Sequence, residues 1–253
     1  MPSESKEVLT HFNLKPSGKF ANFFPYFSVS RNNSELLLLQ TYVGSIHAPA
    51  ATALALQQIK PDIVIKVGCV GANTAGVKTN DIIVPLSFFH SGAWVTSSYL
   101  NHAPTSDASV WQSLFGDKPY QNNKENLGGL NYTFSPDKHI TNIYKETLNN
   151  ERIQYIEAHL GSGDMVISDK KVMEHIEKDI LNSHKNNSKW CTDNESYAIA
   201  QVCEIFKIPF TGVYFVASSD YESVNGYDPD NIHTQTKETI LSVLEELLKK
   251  IER

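Results

Sequence analysis

Residues 50–72 read AATALALQQIKPDIVIKVGCVGA, and the fold class follows from how this stretch divides. Ala50 to Ile59 is rich in alanine and leucine and free of glycine and proline, which predicts a helix. Pro61 cannot continue that helix, because it lacks a backbone N–H and its ring crowds the preceding turn. Asp62 to Val67 (DIVIKV) follows as a largely apolar strand, and Gly68 and Gly71 punctuate its far end. A helix, a short link and an apolar strand ending in glycines form one period of an α/β chain.

Outward from this unit the rhythm repeats. Strands are predicted at Glu35 to Tyr42, Asp81 to Pro85, Ile153 to Leu160 and Phe210 to Ala217. Helices are predicted at His139 to Asn149, Lys170 to about His184, Glu195 to Phe206, and from about Thr234 to the C-terminus. In the last helix Ile240, Leu244, Leu247 and Ile251 fall on one stripe. Several strands are apolar without alternation, which is the pattern of strands covered on both faces. The expectation is a single α/β domain over residues 1–253, with a central, mostly parallel mixed sheet flanked by helices. Residues 97–137, rich in Asn, Gly, Ser, Pro and aromatics, interrupt the rhythm as a long irregular insertion; a lid, an interface arm and an irregular loop all fit it.

Composition excludes several classes. The chain of 253 residues is 41% apolar and 20% charged, an ordinary globular balance. A net charge of −6 argues against nucleic acid as a partner, since backbone binding needs concentrated Lys and Arg. No run approaches the roughly 18 apolar residues of a membrane span, so no membrane partner is expected. The N-terminal Met1 to Glu7 is polar and acidic, unlike a signal peptide, and a cytoplasmic chain is expected unless it is a processed secreted form. Cys69, Cys191 and Cys203 are too scattered for a disulfide framework or a zinc site, so no metal and no cofactor is expected.

Four segments could carry chemistry, and each has a plainer reading. Gly68 and Gly71 let the backbone approach a ligand, or make a simple tight turn; Tyr42 to His47, with Gly44, is a second such turn. Gly161-Ser162-Gly163-Asp164 is a ligand turn or a surface Asx-turn. Thr192-Asp193-Asn194-Glu195 has the spacing of a capping box, yet a carboxylate there could also accept hydrogen bonds from a sugar diol. Asp220, after an apolar strand, is a general acid or a helix-starting cap.

In order and together, these segments resemble the nucleoside phosphorylase and nucleosidase family, which includes 5′-methylthioadenosine/S-adenosylhomocysteine nucleosidases. Asn194-Glu195-Ser196-Tyr197-Ala198-Ile199-Ala200-Gln201-Val202-Cys203 is similar to the family's Met-Glu-Ala-Ala-Ala-Ile-Ala-Gln-Val-Cys helix. Gly161 to Asp164 is similar to its Ser-Gly-Asp turn, Gly68 to Gly71 to its Gly-Ser-Ala-Gly turn, and Pro209-Phe210 and Ser219-Asp220 follow in the family's order.

The resemblance implies cleavage of the N-glycosidic bond of a nucleoside, with a purine base expected. Asp220 would donate a proton toward the departing base, and Glu195, with Asn194 beside it, would hold the ribose hydroxyls. Met165, Val166 and Ser219 would line the base, and Gly44, Lys66, Gly68 and Cys69 the pocket of the nucleophile, water or phosphate. A homo-oligomer is implied as well. Phosphate calls for arginine, and the chain has only Arg31, Arg152 and Arg253, with Lys66 beside the glycine turn and Arg31 able to reach across from a neighbouring subunit; that is a thin anion site, and water is favoured.

The sequence departs from the family's pattern at several points. Asn194 stands where the family has Met, and the spacing from Glu195 to Asp220 is a little long. The family's first strand, which carries the water-activating glutamate of the hydrolases, is expected to be absent or truncated; Glu7 is the nearest stand-in, and its simpler reading is a solvent-facing helix carboxylate. Phe89-His90-Ser91-Gly92-Ala93-Trp94 is similar to the His-Ser-Gly-Leu-Trp segment of plant storage proteins descended from the family, which leaves a non-catalytic nucleoside-binding or storage role as an alternative.

Overall fold

The computed structural model describes residues 2–31, 34–95, 112–113, 133–183, 189–219, 221 and 234–252. The chain opens with helix α1 (Pro2–His11) and an antiparallel meander of β1 (Lys15–Phe20), β2 (Phe24–Arg31) and β3 (Ser34–Leu39). Helix α2 (His47–Ile59) takes Pro49 in its first turn, where no intrahelical N–H is lost, and ends as Lys60 turns left-handed (φ 53°) ahead of Pro61. Then come β4 (Val64–Ala72), β5 (Ile82–His90), the short pair β6 (Trp94–Val95) and β7 (Gln112–Ser113), and β8 (Thr133–Phe134). The rest is α3 (Lys138–Asn150), β9 (Tyr155–Ser162), α4 (Lys170–Ser183), β10 (Trp190–Asp193), α5 (Ser196–Phe206), β11 (Phe210–Ser219) and α6 (Thr234–Ile251).

The central sheet has the order β11-β4-β10-β9-β5-β8, and β11 also pairs with β5. Five strands, β11, β4, β10, β9 and β5, therefore close into a ring. The parallel pairings are long: β4 with β11 runs from Val64↔Phe210 to Ala72↔Ser219, and β5 with β9 from Ile82↔Tyr155 to His90↔Ser162. The antiparallel pairings of β4 with β10, β5 with β11 and β5 with β8 span two residues each. The sheet is thus mixed in direction and mostly parallel in length.

Side chains alternate across the strands and feed two cores. In β11, Tyr214 and Val216 join Leu56 of α2 and Ile199 and Cys203 of α5 on one face. Val213 joins Tyr144 and Leu148 of α3, Leu244 and Leu247 of α6, and Val8 and Phe12 of α1 on the other. Each such fully buried side chain contributes about 1.5–3 kcal/mol of hydrophobic stabilisation.

The predicted helices and the main parallel strands are present within a few residues of their predicted limits, except that the strand expected to reach Tyr42 stops at Leu39. Helix α1 agrees with the reading of Glu7 as a helix carboxylate, whereas β1, β2 and β10 are not among the predicted elements. Of the insertion predicted over 97–137, residues 97–111 and 114–132 lie outside the described residues. At its end Asp137 caps α3, its Oδ1 accepting from the Ile140 N–H at 3.0 Å.

Candidate active site

The parallel register brings three strand ends into one row. His90 of β5 stands opposite Ser162 of β9, and Ser162 opposite Asp193 of β10. Loops at the carboxyl ends of parallel strands gather functional groups in this way. The turn before α2 closes over the row: Ser45 donates its N–H to Asp164 Oδ1 at 2.7 Å and its hydroxyl to Oδ2 at 2.5 Å. Those two bonds, the hydroxyl's first, hold the Asp164 carboxyl below the usual carboxylate range.

Asp193 is the buried hub. Its Oδ1 accepts from Ser162 Oγ at 2.5 Å and from the N–H groups of Ser196 (3.2 Å) and Glu195 (3.3 Å). Its Oδ2 accepts from Ser196 Oγ and from the Lys66 ammonium. Asp193 and Ser162 together therefore satisfy the open N–H groups at the start of α5, the Tyr197 N–H donating to Ser162 Oγ at 2.9 Å. The capping box of Thr192 with Glu195 does not form: Thr192 Oγ1 donates instead to Asn73 Oδ1 at 2.7 Å, and Glu195 makes no side-chain cap.

Glu195 is gripped from two sides. Its Oε1 accepts from the Gly44 N–H at 3.1 Å and its Oε2 from Lys66 Nζ at 2.9 Å. An ionised carboxylate offers about four lone-pair sites, so each oxygen keeps room for one further donor. The side chain is 15% exposed, enough to meet a ligand. Lys66 rises from the middle of β4 on the face shared with Gly68, with its ammonium 5.7 Å from the centre of the Tyr214 ring. Burial draws the Lys66 pKa down, and the charges of Asp193 and then Glu195 outweigh this, so the net direction is up. For Asp193 burial pushes up, and Lys66 with the serine hydroxyls prevails, so its carboxyl stays below the usual range.

At the rim, His90 stands edge-on to Tyr197 with ring centres 5.4 Å apart. Its Nδ1 accepts the Gly92 N–H at 3.1 Å, which places the proton of the neutral ring on Nε2. Burial lowers its pKa against the opposing pull of Asp164.

The family model described as the phosphorylase superfamily matches residues 1–251. The chain belongs to the phosphorylase superfamily. Among curated relatives of this superfamily member, a 5′-methylthioadenosine/S-adenosylhomocysteine nucleosidase of Buchnera aphidicola is 24% identical over 247 residues, covering 97% of this chain and 91% of that protein. One of Bacillus subtilis is 24% identical over 178 residues, which span 70% of this chain and 65% of the relative's length. Among solved structures, futalosine hydrolase of Helicobacter pylori superimposes with a TM-score of 0.75 at 16% identity, covering 99% of this chain and 94% of that one.

The residues expected from the superfamily resemblance divide into two sets. Gly44, Lys66, Gly68 and Glu195 come together around the Asp193 hub. By strand alternation Cys69 points to the face opposite Lys66. Met165 packs against the apolar cluster that includes Ile167, Met173 and Trp190, while Val166 is 77% exposed. Asn194 is half-buried beside Glu195. Ser219 closes β11 opposite Ala72 and donates to the Val77 carbonyl at 3.3 Å. Asp220 lies outside the described residues. Glu7 sits exposed on α1 with its carboxylate 3.5 Å from Lys237, an ordinary helix carboxylate. Arg31 Nε is 3.8 Å from Glu252, with the guanidinium over the Phe12 ring.

Sequence reasoning assigned no role to Asp193, Ser162, Ser196 or Asn73. Asn73 is fully buried and donates to the Ile167 carbonyl at 3.2 Å, so it ties the loop after Asp164 to the sheet. The available signal was that these polar residues sit where flanking strands demand burial. Gly44 carries the turn at φ +107°, and a β-carbon there would lie 3.1 Å from Asp164 Oδ1. Gly44→Ala is expected to destabilise the protein by about 1–3 kcal/mol, read as a lower urea midpoint at unchanged slope. An unmoved midpoint would show that the turn relaxes freely.

Proposed function

We propose that this chain cleaves the N-glycosidic bond of a purine nucleoside with water as the nucleophile. The observation that carries this reading is Glu195: a carboxylate fixed by Gly44 and Lys66 at the row of strand ends, with acceptor capacity left on both oxygens. A ribose 2′,3′-diol presents two adjacent O–H donors, and a pre-oriented carboxylate receives both without reorganising. Asn194 flanks that diol. Met165, Val166 and Ser219 line the base, Asp220 protonates it as it leaves, and Gly44, Lys66 and Gly68, without Cys69, bound the nucleophile's pocket.

Water is preferred to phosphate because Lys66 is already bonded to two carboxylates, which leaves little positive charge for an anion. The relatives are named as nucleosidases and a hydrolase, in agreement with that choice. The reaction calls for no cofactor. Cys69, Cys191 and Cys203 form no disulfide, which suits a reducing, cytoplasmic setting, and among the described residues no helix is long and apolar enough to cross a membrane. Exposed Phe23, Val43 and Ile46, near or within the turn that touches Glu195, suit a homo-oligomer.

One observation favours a second reading, nucleoside binding without turnover. Glu7, the stand-in for the water-activating glutamate, is engaged with Lys237 on the surface of α1. A single assay separates the readings. The protein is incubated with adenosine, inosine, methylthioadenosine or S-adenosylhomocysteine, with and without phosphate, and free base is measured by chromatography. Base release independent of phosphate is expected. Release only with phosphate would make the chain a phosphorylase, and saturable nucleoside binding with no release would make it a binding protein.

A further inference from the structure

Lys66 is an unusual cation to find beside a candidate sugar-binding carboxylate, because nothing of its charge is left over. Its ammonium has three N–H donors, and two of them go to Asp193 and Glu195. With both carboxylates ionised, the cluster carries one net negative charge. The partner that decides this is Asp193, since Glu195 is the more exposed group and faces the ligand, whereas Asp193 has a side chain only 2% exposed.

Asp193 is also unable to swing away. Ser162 Oγ, Ser196 Oγ and the N–H groups of Glu195 and Ser196 hold it in place, so Lys66 cannot be released by a rotamer change. We propose that Asp193 sets the nucleophile specificity of this pocket: by holding Lys66 it withdraws the positive charge that phosphate would need, and so leaves the position to water. The inference rests on the reading of the pocket as a nucleoside-cleaving site.

The substitution Asp193→Asn isolates the effect. Asparagine keeps a carbonyl oxygen for Ser162 and the α5 N–H groups, but its amide NH2 cannot accept from Lys66. One negative charge leaves the cluster, and the ammonium recovers a donor that can turn to an anion. Inorganic phosphate is titrated into wild type and variant by calorimetry, with chloride at equal ionic strength as the blank and circular dichroism as the check of folding. Wild type is expected to bind no phosphate above the blank, and Asp193→Asn to gain at least about tenfold in phosphate affinity, because a charge a few ångströms from the ammonium acts strongly in a partly buried site. The double variant Lys66→Met, Asp193→Asn is expected to lose that gain, which a merely structural role for Asp193 would not produce.

Phosphate binding to wild type, or a folded Asp193→Asn with unchanged phosphate affinity, overturns the proposal. If Asp193→Asn does not fold, the wild-type titration still decides: absence of binding supports the proposal and binding refutes it. Since this readout is binding of phosphate and not release of base, a failure here is distinct from a failure of the cleavage reading, which shows as nucleosides left intact.

Discussion

Lys66→Met is expected to lower the stability of the fold by about 3–5 kcal/mol, the usual loss when one partner of a buried ion pair is removed. Methionine fills a similar volume, so packing against Tyr214 is largely kept and the effect is electrostatic. Two carboxylates, Asp193 and Glu195, would then share a site without a counter-ion, one of them almost fully buried. The pH dependence separates this cause from a packing defect. In wild type the Asp193 pKa is depressed in the folded state, so its contribution is present above the unfolded value of about 3.9 and is lost as pH falls through the folded value. The Lys66 pKa is raised, so its contribution is present below the unfolded value of about 10.4 and is lost as pH rises through the folded one. The pair is therefore intact from about pH 4 to pH 10. In Lys66→Met only the serine hydroxyls and the N–H groups still oppose burial at Asp193, so its pKa is expected to rise above the unfolded value and the variant to become less stable as pH rises where wild type is steady. Urea midpoints at pH 5 and pH 8 test this; a loss below about 1 kcal/mol, the range of a surface ion pair, would show that the pair is solvated.

The sequence made this cluster only half legible, for a physical reason. Periodicity reports which face a residue occupies, and the apolar runs at Asp62 to Val67 and Phe210 to Ala217 placed β4 and β11 correctly. It does not report pairing, so the closure of β11 onto β5 was invisible. β10 is four residues long, Trp190 to Asp193, too short for any period to emerge. Its position is set by the parallel register with β9, which is a tertiary fact. For the same reason the segment Thr192 to Glu195 looked like a capping box. Local spacing favours that motif, but Thr192 lies in a strand whose hydroxyl is needed by buried Asn73, and the capping passes to Asp193.

Glu195 and Lys66 were singled out through the resemblance, and the fold brings both to one point. What spacing could not reveal is that Lys66 would be neutralised by Asp193. Sequence reasoning weighs a lysine as an available cation, whereas only the coordinates show what it already holds. The preference for water over phosphate first rested on a shortage of arginines; the ion pairs of Lys66 now give it a mechanism.

Asp220→Asn is expected to lower the turnover of base release by at least about a hundredfold while leaving nucleoside affinity within a fewfold of wild type. The departing purine takes the electron pair of the glycosidic bond and must be protonated as the bond breaks. A carboxylic acid can supply that proton, whereas an amide can hydrogen-bond to the base but cannot give up a proton to it. Of its sequence neighbours, Ser219 pairs with Ala72 at the end of β4, and the Tyr221 N–H donates to the Ala72 carbonyl at 3.3 Å. Because asparagine preserves shape and hydrogen-bonding reach, the loss falls on kcat and not on KM, as expected for an interaction made only in the transition state. Glu195→Gln provides the contrast. On the proposed reading it removes the charge that would grip the diol in both ground and transition states, so KM is expected to rise along with any fall in kcat. Single-turnover release of base from saturated enzyme, beside equilibrium nucleoside binding, measures both. An Asp220→Asn protein that turns over at the wild-type rate would transfer the proton donor's role to another group of the β11 terminus, beginning with the neighbourhood of Ser218.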